Sequence, residues 1–269
     1  MHILVCAKRV LDPDGVNGYA LWGRLKVDES GRSFDTGGTV PHIINAYDEQ
    51  ALEAALRMRD AGVDCRITVL TVGGEDAGDV LKRCVAMGAD RAIHVVDSEA
   101  CTDGFRVAGI VAALARELGD VDLVLCGRQG SDFDQGAMPA ALAERLDAAL
   151  VTMAAGVAAD GDAAVRVTRA VPNGEEVVRA ELPAVVTVSN ELGQPRYPSS
   201  RGMLAARRTP PERRAASDLV SGGASAAVEL VQLVVPDVQG HCEVIDGADA
   251  AEKAARLMAR LRERGLLHA

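Results

Sequence analysis

The sequence predicts an α/β protein with a doubly wound, mostly parallel sheet of the adenine-nucleotide-binding, Rossmann-like kind. Three observations support this fold class. Short, continuously apolar stretches alternate with segments of helical periodicity from the N-terminus to about residue 150. Continuous apolar strands are typical of a parallel sheet that is covered on both faces. The stretch from Val124 to Pro139 passes from an apolar run through a polar loop with glycines to another helical pattern, as expected where a strand end meets a phosphate at a helix N-terminus.

The individual elements follow from periodicity and from turn residues. Apolar residues at a spacing of three and four predict helices, continuous apolar runs predict buried strands, and Gly88 and Gly119 stop two of the helices. The predicted strands are His2–Val10, Arg66–Val72, Ala92–Val96 and Leu123–Cys126, with a short hairpin over Leu25–Asp35. The predicted helices are Asp48–Ala61, Ala77–Val85, Val107–Leu118 and Met138–Ala149.

The pattern changes near Val151. Val165–Val171 and Glu176–Val188 are predicted as antiparallel strands around the turn signal Pro172-Asn-Gly174. From Asn190 to Ser221 the periodicity is lost and prolines accumulate, which predicts an extended arm that carries a basic run from Arg201 to Arg214. A final helix is predicted over Ala248–Arg264, with Gly265 at its end.

Composition excludes several classes of function. The net charge of −10 and an aromatic content of 3% argue against nucleic acid and against anionic membranes as partners. No apolar stretch approaches the roughly 20 residues that a membrane span needs. No leader with a charged and then an apolar region precedes the first strand, so we expect a cytoplasmic protein without membrane insertion. The six scattered cysteines contain no Cys-x-x-Cys, which predicts neither a metal site nor disulfides.

Segments with a family resemblance lie in order along the whole chain. They are Leu4–Val10, Asn45–Glu49 with Ala51–Leu56, Ala86–Val95, Gly127–Gln129, Val167–Arg169 with Glu176–Val178 and Leu182–Thr187, and Asn190–Tyr197. Together they resemble the β subunit of electron transfer flavoprotein. The resemblance implies a heterodimer with an α subunit, and the α subunit holds most of one shared FAD. The heterodimer accepts electrons from flavin dehydrogenases and passes them to a downstream acceptor. It also implies AMP in a pocket of the β subunit, or a second FAD there in the electron-bifurcating type.

The resemblance places the cofactor-binding residues at the strand ends and in the glycine loop. Asn45 could equally cap a helix, Tyr47 could be a packing residue rather than one that approaches the flavin, and Gly73 could be a simple turn glycine. The candidate cofactor-binding residues are Cys6, Asn45, Ala46, Tyr47, Asp48, Gly73, Gly127, Arg128, Gln129, Gly130, Ser131, Asp132, Asp134, Gln135 and Gly136. Asp132 and Asp134 would repel a phosphate, so we expect them to cap the helix, meet ribose hydroxyls or face solvent. No side chain is predicted to act as acid, base or nucleophile.

A partner-recognition segment is implied by the same resemblance. Its candidate residues are Leu192, Pro195, Arg196 and Tyr197, with Leu192 as an exposed apolar anchor for a dehydrogenase. The basic run beyond it could steer an acidic partner or the α subunit, or could simply be solvated. The expected division of the chain is therefore a nucleotide-binding domain over 1–189 and a recognition segment, arm and C-terminal helix over 190–269.

Two features keep alternatives open. The loop from Asp134 to Pro139 departs from the family pattern, so AMP, FAD and an empty pocket all remain compatible with the sequence. Gly73-Gly-Glu-Asp76 faintly resembles the loop of ATP pyrophosphatases, although it lacks a leading serine. An adenine-nucleotide enzyme of that class is the alternative from a different functional class.

Overall fold

The computed structural model describes residues 1–21, 25–97, 103–220, 227–235 and 242–267, without the side chains of 19–21. Two compact units divide the chain, Met1–Leu233 and Val234–Ala269. The described strands are β1 (His2–Cys6), β2 (Arg9–Leu11), β3 (Lys26–Val27), β4 (Phe34–Asp35), β5 (His42–Ile44), β6 (Arg66–Gly73), β7 (Arg91–Val96), β8 (Leu123–Gly127), β9 (Ala149–Ala159), β10 (Ala164–Val171), β11 (Gly174–Glu181), β12 (Ala184–Val188) and β13 (Glu212–Ala215). The described α-helices are α1 (Pro13–Leu21), α2 (Ala46–Asp60), α3 (Asp79–Met87), α4 (Gly104–Leu118), α5 (Met138–Leu146), α6 (Ser200–Arg208), α7 (Ala216–Leu219) and α8 (Ala250–Glu263).

The first unit is built on a nine-stranded sheet in the order β11-β10-β9-β12-β8-β1-β6-β7-β13. The strands from β9 to β13 in this order pair in parallel, and β10 and β11 add an antiparallel hairpin at one edge. The predicted fold class, an α/β protein with a mostly parallel sheet and antiparallel additions, is thereby confirmed.

Helices cover both faces of this sheet. One apolar cluster packs Leu52 of α2 and Leu81 of α3 with residues of the sheet such as Ile3 of β1. The other cluster packs residues of α4, α5 and α7, such as Ile110 of α4, with residues of the sheet such as Leu4 of β1. Because both faces are covered, the central strands β1, β8 and β12 are buried along their whole length, which explains their continuously apolar sequence.

Strand β1 is the point at which the winding of the sheet reverses. It pairs with β6 on one side and with β8 on the other. The chain first adds β6 and β7 outward from β1, and then returns to build β8 and β12 on the opposite side. Ligands of open α/β sheets bind at such a switch point, beyond the carboxyl ends of the strands.

Several predicted elements differ from the observed ones. The single strand expected over His2–Val10 is two strands, β1 and β2, and β2 leaves the main sheet to pair with β5. The strand expected over Glu176–Val188 is interrupted at Leu182–Pro183, so that β11 belongs to the hairpin while β12 pairs in parallel with β8 and β9. The Ala-rich strand β9, from Ala149 to Ala159, was not predicted at all.

The stretch expected to be an extended arm is largely folded. Within its described part, Asn190–Val220, α6 packs on α3 and β13 pairs with β7 as an edge strand; Ser221 lies outside the described residues. The chain divides between Leu233 and Val234, beyond the expected boundary at 189/190, because these elements join the sheet. The predicted C-terminal helix is confirmed as α8. None of the described helices is both long and apolar enough to cross a lipid bilayer.

Candidate nucleotide site

A cleft opens at the switch point of the sheet. The carboxyl ends of β1 and β8 form its floor, and the N-termini of α4 and α5 form one side. Its empty space, including the open mouth, is about 850 Å³. Of the sequence-predicted residues, those that line the cleft are Cys6, Asn45, Asp48, Gly127, Gln129, Gly130, Asp132, Gln135 and Gly136.

Asp48 joins three segments of the cleft wall. Its buried carboxylate, at the first turn of α2, accepts hydrogen bonds from the backbone N–H of Lys8 (2.7 Å) and from that of Gly127 (2.9 Å). Burial raises the pKa of Asp48 to about 6, although these hydrogen bonds and that of Asn45 act in the opposite direction. The carboxylate therefore fixes the ends of β1 and β8 to α2 and has a pKa well above that of an ordinary aspartate.

Gly127 is required at its position because of this arrangement. A Cβ atom there would lie 2.4 Å from Oδ1 of Asp48 and 2.7 Å from Cβ of Tyr47. Both distances are shorter than any side chain can tolerate. The glycine thus lets β8 end directly against the start of α2.

Asn45 does not cap α2 with its side chain. Instead its amide donates to the backbone oxygen of Gln129 (2.9 Å), and its Oδ1 accepts from the N–H of Ser131 (3.2 Å). Asn45 therefore holds the glycine loop from the opposite wall of the cleft. Asn45 thus lines the cleft, and its side chain does not cap α2; that it contacts a cofactor stays a prediction.

The glycine loop is held by an ion pair and by a hydrogen bond within the loop. Lys8 Nζ lies 2.7 Å from the carboxylate of Asp132 and 5.4 Å from the ring centroid of Phe133. Asp134 adopts a left-handed φ of 51° and accepts a hydrogen bond from Nε2 of Gln129 (2.8 Å). Neither aspartate caps α5, and Lys8 already balances the charge of Asp132.

The N-termini of α4 and α5 differ in a way that bears on ligand binding. Asp103 caps α4 and accepts hydrogen bonds from the N–H groups of Phe105, Ala227 and Val228 as well. The first turn of α5, which lines the cleft at Met138 and Pro139, receives no side-chain cap. An uncapped helix N-terminus beside glycines favours an anion such as a phosphate.

The remaining predicted cofactor residues lie close to the cleft but do not line it. These are Ala46, Tyr47, Gly73, Arg128, Ser131 and Asp134. At Gly73 a Cβ atom would lie 2.9 Å from Cβ of Ala77, so close packing of a turn explains that glycine. None of the residues from Gly73 to Asp76 lines the cleft, so the structure adds no support for the ATP-pyrophosphatase alternative at this site.

Tyr47 and Arg128 contact each other beside the cleft. The guanidinium of Arg128 lies 5.0 Å from the ring centroid of Tyr47, and its Nη1 lies 3.8 Å from the sulfur of Met153. Met153 has a φ of 63° where β9 bulges away from β12. The aromatic ring of Tyr47 is thus packed under a cation.

Among the residues that line the cleft, three with charged or aromatic side chains were not predicted. They are Lys8, Asp103 and Phe133. Lys8 was hidden in a stretch read as continuous strand, whereas the break between β1 and β2 turns it toward the loop. Asp103 precedes α4 directly, so an Asp before a helical pattern was the signal that could have found it.

The partner-recognition residues are arranged differently from the expectation. Leu192 is only 6% exposed and belongs to the apolar cluster that includes residues of α2, so it is buried here and not exposed as expected; its role as an anchor stays a prediction. Tyr197 is 82% exposed. Arg196 is tied to α2, where its Nε lies 2.8 Å from the buried carboxylate of Glu53.

The fold and the cleft together define a doubly wound α/β protein with a nucleotide-type cleft at the switch point of its sheet. A family model described as the electron transfer flavoprotein domain matches residues 38–219, which is more than half of the chain. The chain therefore belongs to the electron transfer flavoprotein family, as one of its β subunits. The β subunits of this family are electron carriers that pair with an α subunit, and electron transfer is the role of this chain.

Curated relatives support the assignment over nearly the full length. The chain is 32% identical over 273 residues to the caffeyl-CoA reductase-Etf complex subunit CarD of Acetobacterium woodii, covering 99% of this chain and 100% of that protein. It is 35% identical over 215 residues to the electron transfer flavoprotein subunit beta of Megasphaera elsdenii, covering 77% and 76%. It is 30% identical over 257 residues to the subunit of the same name from Bradyrhizobium diazoefficiens, covering 96% and 97%.

Proposed function

We propose that the cleft binds AMP and that the electrons travel through a FAD held mainly by the α subunit, which flavin dehydrogenases reduce. The uncapped N-terminus of α5, placed beside the glycine loop, is the observation that carries the AMP proposal. Its N–H groups suit a phosphate monoester. Lys8 lines the cleft as well, where its charge is balanced by Asp132.

The proposed chemistry needs no acid, base or nucleophile from this chain. FAD, when bound, supplies the redox reaction. Asp48 and Asn45 hold the glycine loop against α2, and the loop encloses the nucleotide. The chain is thus an electron-carrier subunit, which acts by positioning and by docking.

The AMP and FAD content of the purified heterodimer tests the proposal. The chain is coexpressed with an electron transfer flavoprotein α subunit, the complex is denatured, and released AMP and FAD are counted against protein. We expect one FAD and one AMP per heterodimer. Two FAD and no AMP would show the electron-bifurcating type, and a heterodimer without AMP would contradict the AMP assignment.

A substitution in the loop separates the two cofactors. A Cβ at Gly130 would lie 2.7 Å from Oδ1 of Asp132 and 3.2 Å from Nζ of Lys8. Gly130→Val should therefore remove AMP while one FAD per heterodimer remains. Gly74→Ala is the matched control, because no atom lies within 4 Å of its added Cβ, and it should keep both.

A further inference from the structure

Two cysteines lie side by side on the floor of the cleft. β1 pairs in parallel with β8, and Val5 lies opposite Leu125 in this register. The next residue of each strand is a cysteine, so Cys6 lies beside Cys126 at the carboxyl ends of the two strands. Both side chains belong to the apolar cluster on the face covered by α4 and α5, so they point the same way. The fold thus creates a pair of thiols that are far apart in the sequence.

The spacing of the two strands suits a bond between the sulfur atoms. Neighbouring strands of a sheet lie about 4.8 Å apart, and disulfides join residues whose Cα atoms are about 4.4–6.8 Å apart. Both thiols are free in the structure, and a hydrogen bond links Cys6 with Cys126. A disulfide between them therefore needs rotation of the two side chains and no separation of the strands.

The two thiols differ in access and in acidity. Cys6 lines the cleft and is 8% exposed, whereas Cys126 is 1% exposed. The hydrogen bond with Cys6, burial and the charge of a Cys6 thiolate all raise the pKa of Cys126 well above its ordinary value. The thiolate, and not the thiol, is the nucleophile in the oxidation of cysteine. Cys6 is therefore the thiol that reacts first, and Cys126 is placed to react with the sulfur of Cys6.

We propose that Cys6 and Cys126 form a redox modification site, which hydrogen peroxide entering the cleft converts from two thiols into a disulfide. The Cys6 thiolate attacks one oxygen of the peroxide, the O–O bond breaks, and the departing hydroxide takes up the proton that Cys6 released. Cys126 then attacks the sulfur of the Cys6 sulfenic acid, whose hydroxyl group leaves as water with the proton of Cys126. The two thiols lose two electrons in total, and one peroxide becomes two waters.

The position of the pair makes its oxidation depend on what the cleft holds. The sulfur of Cys6 is reached from the cleft, and a nucleotide bound there would cover it. This part of the inference rests on the proposed function, since that function supplies the nucleotide. We expect the pair to stay reduced while a nucleotide is bound and to be oxidised when it has left.

Peptide mass spectrometry of the full chain tests the site. The variant Cys242→Ser is used throughout, because Cys242 is exposed and could link two chains. The chain is desalted, treated with dilute hydrogen peroxide, alkylated in denaturant and digested. We expect a peptide that contains Cys6 to be linked to one that contains Cys126, about 2 Da lighter than the two thiol peptides together, and dithiothreitol should separate them.

Cys84 is the matched control for a buried thiol outside the cleft. It lies in the apolar cluster on the other face of the sheet, and burial raises its pKa to about 12. We expect Cys84 to be oxidised at least about tenfold more slowly than Cys6. Equal rates at the two residues would overturn the proposal, and so would oxidation of Cys6 to a sulfinic acid while Cys126 stays a free thiol.

Two variants test the order of the reaction. Cys126→Ala leaves Cys6 without a second thiol, so the sulfenic acid should persist and be trapped by dimedone. In Cys6→Ala the buried Cys126 should stay reduced, because its thiol is neither accessible nor acidic. Urea unfolding of both variants checks that they are folded. Oxidation of Cys126 in Cys6→Ala at the rate seen with Cys6 present would show that the assigned order is wrong.

A last measurement tests the dependence on the cleft. The oxidation is repeated with saturating AMP, and binding of AMP is measured on the same sample by equilibrium dialysis. We expect bound AMP to slow the loss of the Cys6 thiol by about fivefold or more. Bound AMP with an unchanged rate would show that Cys6 is not reached through the cleft. If AMP does not bind, the proposed function is contradicted, whereas the linked peptides from the chain alone still decide whether the thiol pair exists.

Discussion

At the scale of single residues, Asp48 has the most unusual electrostatic environment in the cleft. It is buried, and its pKa is raised to about 6 from 3.8. Between these two values the folded protein keeps a proton that the unfolded chain releases. The free energy of unfolding therefore falls as the pH rises through this window, by up to about 3 kcal/mol from this group.

Comparison with Asp48→Asn isolates this contribution. Asparagine does not titrate, so the free energy of unfolding of the wild type relative to Asp48→Asn should fall between pH 4 and pH 6, by an amount on the order of 3 kcal/mol. Urea unfolding at several pH values measures it. Asp132→Asn, which retains Asp48, should show the same fall as the wild type. A difference that is independent of pH would contradict the raised pKa.

Gly127 is a position at which the fold leaves no room for a side chain. A methyl group there would meet Asp48 and Tyr47 at 2.4 and 2.7 Å, and both belong to α2, which is packed on the sheet. We expect Gly127→Ala to lower the free energy of unfolding by about 2–4 kcal/mol. Gly74→Ala, at the end of β6 with open space around it, should change it by less than about 1 kcal/mol. Equal effects in denaturant unfolding would contradict the close approach.

The sequence predicted where residues lie in the fold better than it predicted whether their side chains are buried or exposed. Asn45, Asp48 and Gly127, which the family resemblance placed at strand ends and at a helix start, line the cleft. The burial of Leu192 could not be predicted from the pattern, since an apolar residue among prolines and polar residues is expected to be exposed. Leu192 packs in an apolar cluster with residues of α2, and Glu53 of that helix, 139 residues earlier in the chain, binds Arg196 of the same segment.

At the scale of elements, Asp103 connects a helix start with a distant segment. Burial alone would raise the pKa of its carboxyl, but hydrogen bonds from the N–H groups of Ala227, Arg106, Val228 and Phe105 together hold the pKa below its ordinary value. The stabilisation is present above the unfolded pKa and is lost as the pH falls through the folded one. Asp103 thus fixes α4 and the start of 227–235 at the edge of the cleft.

Removal of the Asp103 cap should lower the free energy of unfolding more than removal of a cap that holds a single helix. Asp103→Ala leaves the N–H groups of α4 and of Ala227 without their acceptor, and we expect a loss of about 2 kcal/mol in the free energy of unfolding. Asp249→Ala removes only the cap of α8. The carboxylate of Asp249 accepts one hydrogen bond, from the backbone N–H of Glu252 (2.8 Å). It should leave the unfolding of the first unit unchanged. A loss below about 0.5 kcal/mol for Asp103→Ala would contradict the shared role.

The elements that sequence patterns missed have a common physical reason. β9 consists largely of alanine and glycine, which carry no strong strand preference, and its pairing with β10 and β12 decides its structure. β13 is a basic segment, Glu212–Ala215, with only an edge position in the sheet. It pairs with β7, and Glu212 meets Arg91 across that pair at 2.6 Å. Long-range pairing, not local pattern, orders both strands.

At the scale of the whole molecule, the stabilising core lies within the first unit. Both apolar clusters consist of residues from the first 220 positions. In the second unit, no residue of α8 is buried, and Leu257 and Met258 are more than 40% exposed. A helix of 14 residues is marginal in water without tertiary packing. We therefore expect α8 to be ordered by contact with the α subunit.

A chain that ends after Leu233 tests this expectation. Its urea unfolding should match that of the full chain to within about 1 kcal/mol, because both clusters are retained. Its yield of heterodimer on coexpression with the α subunit should fall severalfold, and hydrogen exchange of α8 in the full-length chain should slow by about tenfold or more on heterodimer formation. The variant Leu257→Ser/Met258→Ser, which keeps the chain length, should reproduce the loss of yield. Normal assembly of both variants would show that the second unit serves some purpose other than binding the α subunit.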